Sequence, residues 1–106
     1  MSTDQRVRLM AVAEVPPGTV RRFTQPGRPA LAVYNVGGEI FVTSDTCTHG
    51  MASLSEGTLD GDVIECPWHA GAFNVRTGAV VSMPCTDPIK TYAAIIEDGT
   101  VFVEFG

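Results

Sequence analysis

Residues 47–86 read CTHGMASLSEGTLDGDVIECPWHAGAFNVRTGAVVSMPCT, and this stretch decides the reading of the whole chain. It holds two short pairs, Cys47-Thr48-His49 and Cys66-Pro67-Trp68-His69, with sixteen residues between them. The chain has only two histidines, and both lie here. Each pair offers one thiolate and one imidazole, so four donors of two chemical types are available to a metal centre. Zinc accepts two Cys and two His, but its usual arrangement pairs Cys with Cys and His with His. Interleaved Cys–His pairs fit that poorly. A nucleophilic Cys–His dyad would use one pair and leave the other without a purpose.

Outward from these pairs the pattern is strand-rich. Residues 19–23, 30–36 and 39–43 alternate or run apolar as strands do, with Gly37-Gly38 as a two-residue hairpin signal. Further hairpins are expected at Asp60-Gly61, between 58–59 and 62–65; at Arg76-Thr77-Gly78, between 72–75 and 79–82; and at Asp98-Gly99, between 90–97 and 100–105. Val101, Val103 and Phe105 recur at every second position, which suits a strand with one buried face. Helix signals are weak, with one turn expected around 52–55. The chain reads as all-β, with each ligand pair at a strand-to-loop junction and a hairpin between them to bring the two loops side by side.

A chain of 106 residues makes one small domain. With 44% hydrophobic and 18% charged residues it has the make-up of an ordinary globular protein, not of a disordered one. No apolar run approaches the roughly 20 residues of a membrane-spanning helix, so no membrane association is expected. The first residues lack the layout of a secretory signal, and a cytoplasmic location is expected. Residues 1–28 carry a balance of +3, 29–75 hold no Lys or Arg and carry −6, and 76–106 carry −2. An acidic half disfavours nucleic acid as a partner, since phosphates demand basic patches. That half is either an ordinary solvated surface or a negative rim that steers basic partners towards the metal centre.

The pattern C-x-H…C-x2-H resembles the Rieske family, in which two His replace two Cys on one iron of a [2Fe–2S] cluster. Residue types, order and spacing all agree. The resemblance implies that Cys47 and Cys66 bind one iron and that His49 and His69 bind the outer iron, which takes the electron. It implies a β-sandwich-like basal part, about 1–44 and 86–106, with a smaller cluster-binding unit inserted at about 45–85. Gly50 and Gly71 follow the histidines closely and allow backbone N–H groups to curl towards the sulfides. Cys85 is left over, and is expected to be a small buried apolar residue near the loop that covers the cluster. Trp68 is either core or a shield against water. Phe73, Tyr92, Phe102 and Phe105 are expected in the core, and Asp62 and Glu65 in solvent.

Charge explains why such a centre suits electron transfer. Two ferric ions, two sulfides and two thiolates sum to zero with neutral imidazoles, so one electron takes the cluster only to −1. A four-Cys cluster would go from −2 to −3, which is harder in a low-dielectric pocket. Potentials in the Rieske class accordingly span roughly −150 to +300 mV. High-potential relatives add a disulfide between the loops and use Ser and Tyr hydroxyls on the cluster sulfurs. Here the corresponding positions are Ala52, Trp68, Gly71 and Phe73, which implies the low end of the range.

Residues 47–86 are similar to the ferredoxins of bacterial aromatic ring-hydroxylating dioxygenases, most strongly the carbazole and naphthalene types. The resemblance implies a monomeric one-electron carrier, not an enzyme, between an NAD(P)H-dependent flavoprotein reductase and a terminal oxygenase. Oxygen chemistry at a second, mononuclear iron would need further histidines, and the chain has none left. The alternative from another class is a Rieske-like small subunit of an assimilatory nitrite reductase.

Overall fold

The computed structural model describes residues 6–47, 52–67, 71–82 and 87–104. Among these residues ten strands follow one another: β1 (Arg6–Ala11), β2 (Val20–Gln25), β3 (Arg28–Val36), β4 (Glu39–Ser44), β5 (Thr58–Asp60), β6 (Val63–Glu65), β7 (Ala72–Asn74), β8 (Val80–Ser82), β9 (Thr91–Glu97) and β10 (Thr100–Glu104). They form two antiparallel sheets, one of six strands in the order β1-β10-β9-β4-β3-β2 and one of four in the order β5-β6-β7-β8. The expected all-β class is the one observed.

Turn chemistry accounts for the hairpins. Asp98 and Gly99 both take positive φ, 50° and 73°, which suits the right-handed twist of β9 and β10. The turn between β5 and β6 falls on Gly61-Asp62, one residue later than the sequence suggests, because Asp60 still pairs with Val63. β7 ends at Asn74 and not at 75. The Val75 N–H still bonds the Asp62 carbonyl at 2.8 Å, but the Asn74 side-chain oxygen accepts the N–H of Arg76 at 2.8 Å and of Thr77 at 3.3 Å and turns the chain there. The expected turn near 52–55 is a 3-10 turn at Leu54–Glu56.

β1 has no counterpart among the expected strands. It pairs with β10 and carries a bulge between Arg8 and Met10. The extra residue lets Leu9 and Met10, neighbours in sequence, both be buried.

β3 organises the molecule. Leu31, Ala32, Val33, Tyr34 and Asn35 are all buried, and successive side chains point to opposite faces. Leu31 and Val33 join Leu9, Met10, Val42, Val101 and Val103 in one core. Strands from both halves of the six-stranded sheet meet there, so the sheet folds over where only two pairs, Val42–Tyr92 and Thr43–Thr91, link β4 to β9. Ala32 and Tyr34 face the other way, into a core shared with Cys47, Leu54, Ile64, Cys66, Phe73, Val75 and Ile89. Each large side chain so buried contributes roughly 1.5–3 kcal/mol. Phe73 and Val103 are core residues as expected, whereas Tyr92 and Phe102 are only half-buried; Phe105 lies outside the described residues.

Candidate metal centre

Both cysteines sit at the same point of two similar loops. After β4 the chain continues as a short antiparallel ladder, in which Leu54 N–H donates to the Asp45 carbonyl at 2.7 Å and Thr46 bridges to Ser53. Its last rung is the Cys47 N–H to the Ala52 carbonyl, 2.9 Å. The second loop crowns the β6–β7 hairpin, whose last rung is the Cys66 N–H to the Gly71 carbonyl, 2.6 Å. In each case a Cys and the residue five positions on close the loop. The β5–β6 hairpin joins the two ladders, as the sequence leads one to expect.

Cys47 and Cys66 are each 2% exposed and belong to one buried cluster with Leu54, Ile64 and Phe73. His49 and His69, the other two expected ligands, lie outside the described residues, as do Gly50, Trp68 and Cys85. Hence no group of three metal-ligating side chains converges among the described residues. What is described fits an iron–sulfur centre: two soft sulfur donors, brought into one apolar pocket by matched loops. Phe73 presents a ring without a hydroxyl to this core, and Gly71 has no side chain to donate.

The acidic half looks different in space. Asp45 is buried, with its side chain 2% exposed, and is no part of a rim. Its carboxylate accepts from Ser53 Oγ, from the Ser55 N–H at 2.8 Å and from Arg22 Nε at 3.2 Å. Glu39 and Asp62 are both claimed by Arg76, at 3.0 and 3.2 Å, while its guanidinium covers the Phe41 ring at 4.8 Å. Asp62 is thus a structural partner more than a solvated charge. Glu56, Asp60 and Glu65 remain exposed. The Asp45 network escapes a reading of composition, although two serines at 53 and 55, just beyond the first loop, are the signal that carries it.

Beneath the loops, Tyr34 is fully buried and its hydroxyl lies 2.8 Å from Thr43 Oγ1. Thr43 donates to the Ser44 carbonyl, so Tyr34 donates to Thr43. Burial pushes the phenol well above its usual range, and the nearby Asp45 adds to the rise. A raised folded pKa keeps its full stabilisation below the unfolded value of about 10 and loses it as pH climbs further. Stability should therefore fall in the alkaline limb above about pH 10, and Tyr34→Phe should flatten that limb while costing about 1 kcal/mol for the lost hydrogen bond. Chemical denaturation as a function of pH measures both effects.

An all-β scaffold holding two buried thiols on twin loops fits the class of small iron–sulfur proteins. The model of the Rieske [2Fe–2S] domain matches residues 5–93, and the chain belongs to that family. Ferredoxin CarAc of Metapseudomonas resinovorans is 54% identical over 97 residues, with 92% of this chain and 91% of the relative covered. The ferredoxin component of the p-cumate 2,3-dioxygenase system of Pseudomonas putida is 46% identical, with 94% and 86% covered. A chain in the complex of reduced oxygenase and oxidized ferredoxin in carbazole 1,9a-dioxygenase superposes with a TM-score of 0.91 at 51% identity, covering 96% of this chain and 94% of its own. The protein is a Rieske-type [2Fe–2S] electron carrier and not itself an oxygenase.

Proposed function

We propose that Cys47 and Cys66 hold one iron of a single [2Fe–2S] cluster and His49 and His69 the other. We also propose that the protein carries electrons one at a time from an NAD(P)H-dependent flavoprotein reductase to the terminal oxygenase of an aromatic ring-hydroxylating dioxygenase. The observation that carries this is the pair of matched loops, each opening on a buried Cys. The family match across most of the chain and the dioxygenase ferredoxins among its relatives support it. Those relatives also favour a carrier over the small subunit of a nitrite reductase.

When bound, the cluster supplies reversible uptake of one electron. The chain's own residues do the rest. Cys47 and Cys66 would hold the cluster from the core, and Leu54, Ile64 and Phe73, buried with them, would exclude water from the two thiolates. His49 and His69 would present their outer ring edges to partners, giving the shortest path in and out. Contact there would be weak and fast-exchanging, as in other small redox encounters below roughly 1,200 Å². In this reading the division into a basal part, about 1–44 and 86–106, and a cluster-binding part, about 45–85, follows the two sheets, since one draws on residues 6–44 and 91–104 and the other on 58–82. The setting is the cytoplasm, where NAD(P)H is available.

Purified protein should contain iron and sulfide in equal amounts and give a Rieske EPR signal after dithionite. With NADH and a flavoprotein reductase of this class it should be reduced by one electron per molecule. Zinc in place of iron, or uptake of two electrons, would refute the proposal.

A further inference from the structure

Asp45 joins more of the structure than any other charged residue near the first loop. Its N–H donates to the Ala30 carbonyl of β3 at 2.9 Å, and its carbonyl receives the Leu54 N–H at 2.7 Å. Its carboxylate takes Ser53, Ser55 and Arg22 of β2. The two ends of the ion pair are unequal in solvent. The Asp45 side chain is 2% exposed and that of Arg22 is 56% exposed. A charge inside the low-dielectric interior acts on its neighbours far more strongly than one that water screens. The pair is therefore not electrically silent towards the core it adjoins. Its negative end lies two residues from Cys47, and its positive end faces outward.

We infer that the Asp45–Arg22 pair sets the reduction potential of the metal centre: the buried carboxylate opposes arrival of an electron, and the guanidinium offsets part of that opposition. This rests on the cluster ligation proposed above. Reduction adds one negative charge to a centre that begins neutral, so a fixed negative charge nearby must shift the equilibrium towards the oxidised form. Asp45 and Arg22 are positioning residues in the structural sense as well, since together they brace the base of the first loop. Charge and bracing make different predictions. Loss of bracing has the same sign whichever partner is removed. Loss of charge has opposite signs.

The test is a redox titration of the holoprotein and four variants, with the EPR signal recorded for each. Asp45→Asn should favour the reduced form by about tenfold, which is ~59 mV upward for one electron. Arg22→Gln should move the potential the other way by less than this, because solvent screens the guanidinium. Arg22→Glu should move it further in that direction. Arg22→Lys, which keeps the charge and loses the Nε–H bond, should stay close to the parent. If Asp45→Asn fails to take up the cluster, the Arg22 series decides alone. Shifts of one sign for both partners, an unmoved Arg22 series, or Arg22→Lys tracking Arg22→Gln would each overturn the inference. Parent protein that lacks iron and sulfide would instead defeat the ligation on which it rests, a separate and visible failure.

Discussion

Replacing Cys47 or Cys66 by Ala is expected to give a colourless protein with neither iron nor sulfide. Iron–sulfur clusters are held by thiolates, and a methyl group offers no bond at all. No other residue can substitute. Cys85 is the one cysteine beyond the pair, and neither matched loop begins at it. The loss should reach past colour. Each Cys is 2% exposed and packs in the core between the four-stranded sheet and β3, so the two proposed sulfur ligands are core residues as well. Metal-binding free energy then becomes folding free energy, and the melting temperature should fall with the metal. Iron and sulfide analysis with thermal unfolding reads both effects. The control is Cys85→Ala, which should keep colour, metal and EPR signal. A coloured Cys66→Ala protein would mean that the cluster is anchored elsewhere.

The two cysteines that open the matched loops are legible in the sequence because they depend on local rules, whereas His49 and His69 lie outside the described residues. Ligand type and spacing are properties of short segments. So are the turns at Gly37-Gly38 and Asp98-Gly99, where positive φ singles out glycine and its companions. What escapes is what distant residues decide together. β1 is an edge strand in which Arg6 and Arg8 alternate with Val7 and Leu9, and no turn signal marks where it starts; pairing with β10 makes it a strand. Asp45 counts as one more acid in composition, yet Arg22 from β2 and two serines turn it into a buried brace. Arg76 appears as a turn residue, yet it spans from the β7–β8 turn to Glu39 and Phe41 of β4. Gly57 has no local signal at all. A Cβ there would lie 2.0 Å from the Glu65 carbonyl oxygen, because the chain leaving the 3-10 turn presses against the strand that leads into Cys66.

The same distinction predicts a large effect at an aromatic residue. Phe73 is 0% exposed, pairs across from Ile64 on β6, and shares its core with Cys47, Cys66 and Tyr34. Phe73→Ala should cost about 3–5 kcal/mol, the transfer term plus the cavity left behind. That is a large share of a domain's usual stability of about 5–15 kcal/mol. The cavity would open beside the thiols, so chelators should strip the iron faster than from the parent. Phe102 provides the contrast. It is half-buried on β10, on the opposite face from Val101 and Val103, with Arg6 over its ring at 5.9 Å. Phe102→Ala should therefore cost less and leave the bleaching rate unchanged, because its face belongs to the six-stranded sheet and not to the core around the cysteines. Thermal unfolding and chelator-driven loss of colour, measured on both variants, separate the two. Equal bleaching would show that general loosening admits the chelator, and the water-excluding role given to Phe73 would then be wrong.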